Sequence, residues 1–115
     1  MHYVCIMNED NFRAQMKKGI LELCVLKIVQ FEECYASNIS ERLKKADLLV
    51  VEGTLYPLLT RMKNAEWIQY RWEESKSGPP RKYYQITPEG TKILSKLEKE
   101  WDAMVLSIQS LNQNS

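Results

Sequence analysis

The stretch from residue 52 to residue 90 constrains the fold most strongly, because the expected secondary structure changes several times within it. Apolar residues first recur at helical spacing, at Leu55, Leu58, Leu59 and Met62. Two runs rich in aromatic and β-branched residues follow, 67–72 and 82–87, and a turn-forming segment around Gly78 separates them. This order predicts a helix followed by a β-hairpin wing, an arrangement that can read nucleic acid.

The helix of this stretch is expected to begin between Glu52 and Thr54, with Thr54 as its N-cap, and to end near Asn64. Pro57 then lies in the first turn, where its missing N–H does no harm. If the helix begins at Glu52 instead, Pro57 removes one backbone hydrogen bond. The residues left for the other faces are hydroxyls, a ring and cations: Thr54, Tyr56, Thr60, Arg61 and Lys63.

Helices are also predicted on both sides of this stretch. An apolar run predicts one over about 11–31, and its wide apolar surface indicates burial on two sides, by a second subunit or within one domain. A short helix over about 36–46 follows, with Ser37 or Asn38 as its cap.

The last helix is expected to start at Thr87 as N-cap, with Pro88 at the first helical position. Its apolar residues form a heptad-like seam at Leu94, Leu97, Trp101, Met104, Ile108 and Leu111. A seam this long predicts a dimerisation arm, and the alternative is that the helix folds back onto its own core. The expected organisation is a flexible segment 1–12, a DNA-binding domain 13–88, a dimerisation helix 89–112 and a frayed tail 113–115.

Several classes of protein are not expected. No apolar run approaches the length of a membrane span and the start is not a secretory signal, which favours a cytoplasmic protein with no membrane partner. Three cysteines without a Cys-x-x-Cys pair argue against a disulfide framework or a zinc ribbon, and Cys34 is placed in a loop. His2 is the only histidine, and no nucleotide fingerprint or metal-ligand spacing occurs. We therefore expect no enzyme, cofactor or metal.

Charge is concentrated rather than large. The formal net charge is only +1, but the segment from Lys76 to Lys92 holds four cations and one anion. Arg61 and Lys63 can contact phosphates, and Tyr56 or Thr54 can reach a base or a phosphate oxygen. In the loop, Arg81 and Lys82 can anchor the wing on the DNA backbone.

The same residues can also be interpreted without a DNA-binding role. Exposed cations are usually a solvated face, and a Pro-Pro-Arg turn can be only a stiff loop. A protein-contact surface made of Tyr56, Trp72 and the Pro-Pro turn is a further alternative.

The string EGTLYPLLTRMKNAEWI, followed by GPPRKYYQITPEG, resembles the signature of PadR-type transcriptional regulators. The similarity extends back to MKKGILELCVLKIV and covers nearly the whole chain after about residue 13. It implies a mainly α fold with a small β-hairpin, a winged helix-turn-helix, and sequence-specific binding to a DNA operator as a homodimer. Ala36, Ser37 and Asn38 replace the family's usual Gly-Tyr-Glu, so contacts made by that tyrosine are not transferred.

The predicted DNA contacts lie in three segments. Those on the recognition helix are Glu52, Gly53, Thr54, Tyr56, Pro57, Arg61 and Lys63. Those at the second helix start are Ser37 and Asn38, and those on the wing are Lys76, Ser77, Gly78, Arg81 and Lys82.

The single C-terminal helix resembles the short subfamily, which dimerises through that helix and the N-terminal one. In a multidrug-binding member, a tryptophan of this helix stacks on planar drugs at the dimer centre, and Trp101 is similar in position. The resemblance thus implies a planar hydrophobic effector at Trp101, whereas a tryptophan on a heptad seam is more often interface core. A multidrug-binding dimer with only a minor role at DNA is therefore a second alternative to the regulator.

Overall fold

The computed structural model describes residues 9–113, and its account of side chains begins at Phe12. Within this part the chain forms helices at both ends and a small antiparallel sheet. In chain order the elements are α1 (Glu9–Phe31), β1 (Cys34–Tyr35), α2 (Ala36–Lys45), α3 (Glu52–Asn64), β2 (Ile68–Ser75), β3 (Gly78–Ile86) and α4 (Pro88–Ser110). The predicted fold class, mainly α with a small β-hairpin, is confirmed.

One apolar core joins these elements. Its fully buried members come from α1, α2, α3, β2 and α4 and include Val25, Leu26, Ile39, Leu43, Leu55, Leu58, Leu59, Met62, Ile68 and Leu94. The stripe predicted on α3 is therefore the side that faces the core. The apolar surface of α1 is covered in part by its own chain, since Leu21, Val25 and Val29 are buried in the same core.

The N-terminal helix is longer than predicted. It begins at Glu9, so residues 9–12 of the segment expected to be flexible are helical. Residues 1–8, with His2 and Cys5, lie outside the described residues, as do residues 114 and 115 of the predicted tail.

The predicted cap of α3 is wrong. The N-cap is Val51 and the helix begins at Glu52, which places Thr54 inside the first turn. Pro57 lies inside the helix, so the carbonyl of Gly53 receives no N–H from the position one turn later. This lost hydrogen bond is the one predicted above for a helix that begins at Glu52.

The start of α2 also differs from the prediction. The N-cap is Tyr35, not Ser37 or Asn38, and Asn38 Oδ1 accepts a hydrogen bond from the Tyr35 backbone N–H at 2.9 Å. Cys34, which was expected in a loop, is buried in the short strand β1. A strand of two residues is too short to leave an alternating pattern in the sequence.

The wing, formed by β2 and β3, is longer than predicted. Most of the segment expected to be a loop is paired strand, and only Lys76 and Ser77 form the turn. The register between the strands shifts where Pro79 and Pro80 occur, between the pairs Glu73↔Arg81 and Ser75↔Gly78. Pro79 and Pro80 have no N–H to donate. They fit at this shift because neither of them is a paired residue of the β2–β3 ladder.

The sheet order is β1-β3-β2, which places the wing against the start of α2. Cys34 pairs with Tyr84, and Tyr35 pairs with Tyr83. The base of the wing is thus attached to α2 by backbone pairing.

The predicted start of α4 is confirmed. Thr87 is its N-cap, and Thr87 Oγ1 accepts a hydrogen bond from the Gly90 N–H at 2.9 Å, with Pro88 in the first turn. Exposure then rises along the predicted seam, from 1% at Leu94 through 42% at Trp101 to 81% at Leu111. The first part of the seam folds onto the chain's own core, and the rest is uncovered in the single chain.

None of the helices in the described part of the chain combines the length and apolar character needed to cross a membrane.

Candidate nucleic-acid interface

A groove lies where the start of α2, the exposed side of α3 and the wing meet. Its volume is about 290 Å³. Aromatic rings, a serine hydroxyl, two cations and two small apolar side chains line it: Tyr35, Ala36, Ser37, Tyr56, Trp72, Pro80, Arg81, Lys82 and Tyr84. We call it the wing groove. It unites predicted contact residues from all three segments, namely Ser37, Tyr56, Arg81 and Lys82.

Arg81 is held at the edge of this groove by two residues near the start of α2. Its guanidinium carbon lies 4.0 Å from the centre of the Tyr35 ring, and its Nη2 donates to Ser37 Oγ at 2.6 Å. The Tyr35 ring in turn meets Tyr83 edge-on, with 5.1 Å between the ring centres.

Lys82 lies over aromatic rings of β2. Its ammonium is 4.7 Å from the centre of the Tyr70 ring and 5.7 Å from that of Trp72. Lys63 of α3 approaches Tyr70 at 5.9 Å. The attraction of a cation to a ring face holds both ammonium groups near Tyr70 while leaving their charge intact. Lys82 lines the wing groove, whereas Lys63 lines a neighbouring cavity with Glu66 and Glu89.

The positive charges of the wing groove and of the end of α3 are not offset by ion pairs among the described residues. Among the described residues, no carboxylate lies within ion-pair distance of Lys63, Arg81 or Lys82. Arg71 differs, because it bonds Glu73 at 3.0 Å and Glu33 at 3.4 Å on the outer face of the sheet. Unpaired cations beside exposed rings suit a polyanion.

The predicted residues of α3 divide between two sides of the helix. Tyr56 is exposed and borders the wing groove. Thr54 and Arg61 line a different cavity beside α1, together with Lys18 and Glu22. Glu52, Gly53 and Pro57 are exposed at the start of the helix, and Lys63 is exposed at its end.

The remaining predicted residues lie at the tip of the wing and in the cap of α2. Lys76, Ser77 and Gly78 are exposed at the tip and do not line the wing groove. Asn38 is half-buried, and its Oδ1 is engaged in the cap of α2.

Sequence reasoning missed Tyr35 and Tyr84 as groove residues, did not identify Tyr70 as the ring beneath Lys82, and considered Trp72 only for protein contact. The alternation of β2 contained part of the signal, because Tyr70 and Trp72 share one face and the hairpin register pairs Trp72 with Lys82. Nothing local pointed to Tyr35, which meets Arg81 only through the fold.

A second surface lies between α1 and α4. A cavity of about 240 Å³ is lined mainly by apolar groups and two carboxylates: Gly19, Ile20, Glu22, Leu23, Trp67, Leu97, Glu100, Trp101 and Met104. Beyond it, Ile108 and Leu111 are exposed. No group of His, Cys, Asp or Glu side chains placed to hold a metal ion occurs in the part of the chain that the structure describes.

Comparison with known proteins agrees with this geometry. Residues 25–96 match the Transcriptional regulator PadR-like family. A PadR-like transcription factor from Bacteroides fragilis is 48% identical, with a TM-score of 0.75, over 88% of this chain and 98% of that one. A PadR-like transcriptional regulator from Bacillus cereus is 38% identical, with a TM-score of 0.76, over 88% of this chain and 99% of that one.

More distant relatives show the same pattern. A PadR family transcriptional regulator from Eggerthella lenta is 27% identical, with a TM-score of 0.81, over 88% of each chain. An uncharacterized protein from Lysinibacillus sphaericus is 30% identical over 92 residues, which is 77% of this chain and 84% of that protein. The chain therefore belongs to the PadR-like family of DNA-binding transcriptional regulators and has their winged-helix fold.

Proposed function

We propose that the protein represses transcription as a homodimer that binds a pseudo-palindromic operator, with α3 in the major groove and the wing on the adjacent backbone or minor groove. The observation that supports this most directly is the set of cations without carboxylate partners among the described residues, Arg81 and Lys82 on the wing and Lys63 at the end of α3. A repressor of this kind acts from the cytoplasm, where its DNA target is accessible.

The start of α3 is the part proposed to read bases. Gly53, Tyr56 and Pro57 are exposed there, and side chains near the N-terminus of a recognition helix meet base edges. Glu52 can accept from a cytosine amino group, and the start of a helix also favours phosphate. Thr54 and Arg61, on the side toward α1, are proposed to contact the phosphate strand that borders that side.

The start of α2 and the wing are proposed to hold the sugar-phosphate backbone. Ser37 is exposed at the groove, and Asn38 retains its Nδ2 amide as a donor because only Oδ1 is used in the cap. Lys76, Ser77 and Gly78 extend this contact to the wing tip, while Arg81 and Lys82 anchor its base.

Dimerisation is proposed to use the uncovered half of the α4 seam. Leu94 and Leu97 attach α4 to its own domain, and Trp101, Met104, Ile108 and Leu111 remain exposed. An apolar row of this kind suits a second copy of the same helix. We accordingly retain residues 13–88 as the DNA-binding domain and 89–112 as the dimerisation helix, with half-sites about one helical turn (~34 Å) apart.

A binding titration with DNA from upstream of the protein's own gene tests the proposal. Specific binding should exceed that to random DNA, and affinity should fall steeply with salt, since several phosphates are neutralised. The double variant Arg81→Ala and Lys82→Ala should weaken binding to all sequences alike. If neither that DNA nor any selected sequence is bound better than random DNA, the proposal fails. If the protein instead forms a complex with another protein, and the affinity of that complex changes little with salt, the protein-contact alternative is favoured.

An effector site at the α1–α4 cavity is a second proposal. Two indoles, Trp67 and Trp101, line this cavity together with the carboxylates of Glu22 and Glu100. Such a site suits a planar hydrophobic cation, which would act by favouring one spacing of the two recognition helices. Quenching of tryptophan fluorescence by planar cationic dyes should be lost in Trp101→Ala and retained in Trp72→Phe. Unchanged quenching in Trp101→Ala would refute this role.

A further inference from the structure

Arg71 of the wing contacts the Tyr83 ring at 4.6 Å, but its hydrogen bonds go to the carboxylates of Glu33 and Glu73. Arg81 differs because an aromatic ring and an uncharged hydroxyl fix it at once. The residues that make these contacts, Tyr35 and Ser37, belong to the start of α2 and not to the wing. The hydrogen bond joins groups 44 residues apart in the sequence. The position of Arg81 is therefore set by a different element from the one that carries it.

Tyr35 is itself rigidly placed. Its backbone pairs with Tyr83 in the sheet, and its N–H donates to Asn38 Oδ1 at 2.9 Å. Its ring is half-buried and meets the Tyr83 ring at an interplanar angle of 71°. Because both its backbone and its ring are held, Tyr35 can fix the position of the longer and more flexible Arg81 side chain.

Tyr35 and Ser37 orient the Arg81 guanidinium without neutralising its charge. A guanidinium has five N–H donors, and the Ser37 bond uses only one nitrogen, Nη2. Arg81 is exposed and has no ion-pair partner among the described carboxylates, whereas Arg71 is paired with Glu33 and Glu73. Stacking on the Tyr35 ring restricts the rotamers of Arg81 before DNA binds. Less side-chain entropy is therefore lost when the guanidinium contacts a phosphate.

We propose that Tyr35 is a positioning residue for DNA binding, whose uncharged ring holds the Arg81 guanidinium in place to contact a backbone phosphate. This inference rests on the proposed function, since it assumes that the wing meets DNA. Tyr35 contributes through Arg81 and not through a DNA contact of its own.

The test is the salt dependence of operator affinity. Each phosphate contact contributes about 0.9 to the slope of log K against log salt. Because a homodimer carries Arg81 twice, Arg81→Ala should lower the steepness by about 1.8 per dimer and weaken binding about a hundredfold at moderate salt. Tyr35→Ala removes no charge, yet it should also lower the steepness. Tyr35→Phe, which keeps the ring, should behave as wild type.

Double variants separate positioning from general damage. The effect of Tyr35→Ala should disappear in the Arg81→Ala background and persist in the Lys82→Ala background. Circular dichroism and thermal unfolding check the fold, and Tyr35→Leu, which keeps bulk but has no ring face, replaces Tyr35→Ala if that variant does not fold.

Two results would overturn the inference while leaving the proposed function intact. One is an unchanged slope in both Tyr35→Ala and Tyr35→Leu with specific binding retained. The other is an unchanged slope in Arg81→Ala itself. Failure of the wild-type protein to prefer any DNA sequence would instead refute the proposed function.

Discussion

Gly90 of α4 lies directly against the backbone carbonyl of Trp67, and a Cβ at this position would overlap that oxygen. The same carbonyl accepts hydrogen bonds from the Thr87 N–H at 3.1 Å and the Thr87 hydroxyl at 3.0 Å. The start of α4 is thereby fixed to the connection between α3 and β2. This junction links the proposed dimerisation helix to the proposed recognition helix.

Replacing Gly90 by alanine should destabilise the protein by about 3 kcal/mol or more, because the neighbouring backbone cannot yield as a side chain would. Thermal or urea unfolding measures this. Gly19→Ala is the matched control: it is also helical, its new Cβ would meet nothing within 4 Å, and it should gain up to about 1 kcal/mol. Equal stability of the two variants would contradict the close contact at Trp67.

Gly53→Ala should separate stability from DNA binding. A Cβ at Gly53 meets nothing within 4 Å in the free protein, so the fold itself does not require glycine there and should gain about 0.5 kcal/mol. If the start of α3 approaches DNA closely, the added methyl group should nevertheless weaken operator binding. Wild-type affinity in Gly53→Ala would show that DNA does not come close to this backbone.

Ile108→Glu should dissociate the proposed dimer, because it places a charge on the uncovered apolar seam of α4. Sedimentation at fixed protein concentration should show a monomer, and operator affinity should fall about a hundredfold, because two linked half-site contacts become independent. Gln109→Glu adds the same charge at the next position, off the seam, and should change neither property. A dimer in both variants would place the interface elsewhere.

The buried thiol of Cys34 should produce a pH dependence of stability. Burial raises its pKa from 9.0 to about 11, with a smaller effect from the Glu32 carboxylate. Below pH 9 the thiol is protonated in both the folded and the unfolded chain. Between pH 9 and 11 only the unfolded chain loses the proton, so the free energy of unfolding should fall, by roughly 2–3 kcal/mol in total.

Comparison with Cys34→Ala isolates this contribution, because Cys24 and Tyr84 also have raised pKa values and remain in the variant. The stability difference between the two proteins should be constant below pH 9 and should change above it in favour of the variant. Parallel curves up to pH 11 would show that Cys34 is not the titrating group.

Local sequence signals determined much of the architecture. The apolar spacing of Leu55, Leu58, Leu59 and Met62 identified the core side of α3, and Thr87 with Pro88 marked the start of α4. These features depend on residues within one turn or one cap, so the sequence contains the whole interaction. The signature strings are also contiguous in the sequence, so they identified the family, and the comparisons confirm that family.

Local signals failed where a neighbour from another segment decides the conformation. Thr54 is a good cap by type, but α3 begins earlier, at Glu52. Pro79 and Pro80 predicted a loop, yet pairing with β2 extends the strands on both sides of the register shift. Pairing energy between strands is not visible in the propensity of one strand alone.

The sequence by itself determined the family and the order of the four helices and the hairpin, and it predicted which residues could face DNA. Only the tertiary structure decided which of them meet: Arg81 stacks on Tyr35, whereas Thr54 and Arg61 turn toward α1. The physical reason is distance along the chain. Helical periodicity and capping act over a few residues, whereas the contact between the wing and α2 forms only after the sheet brings distant segments together.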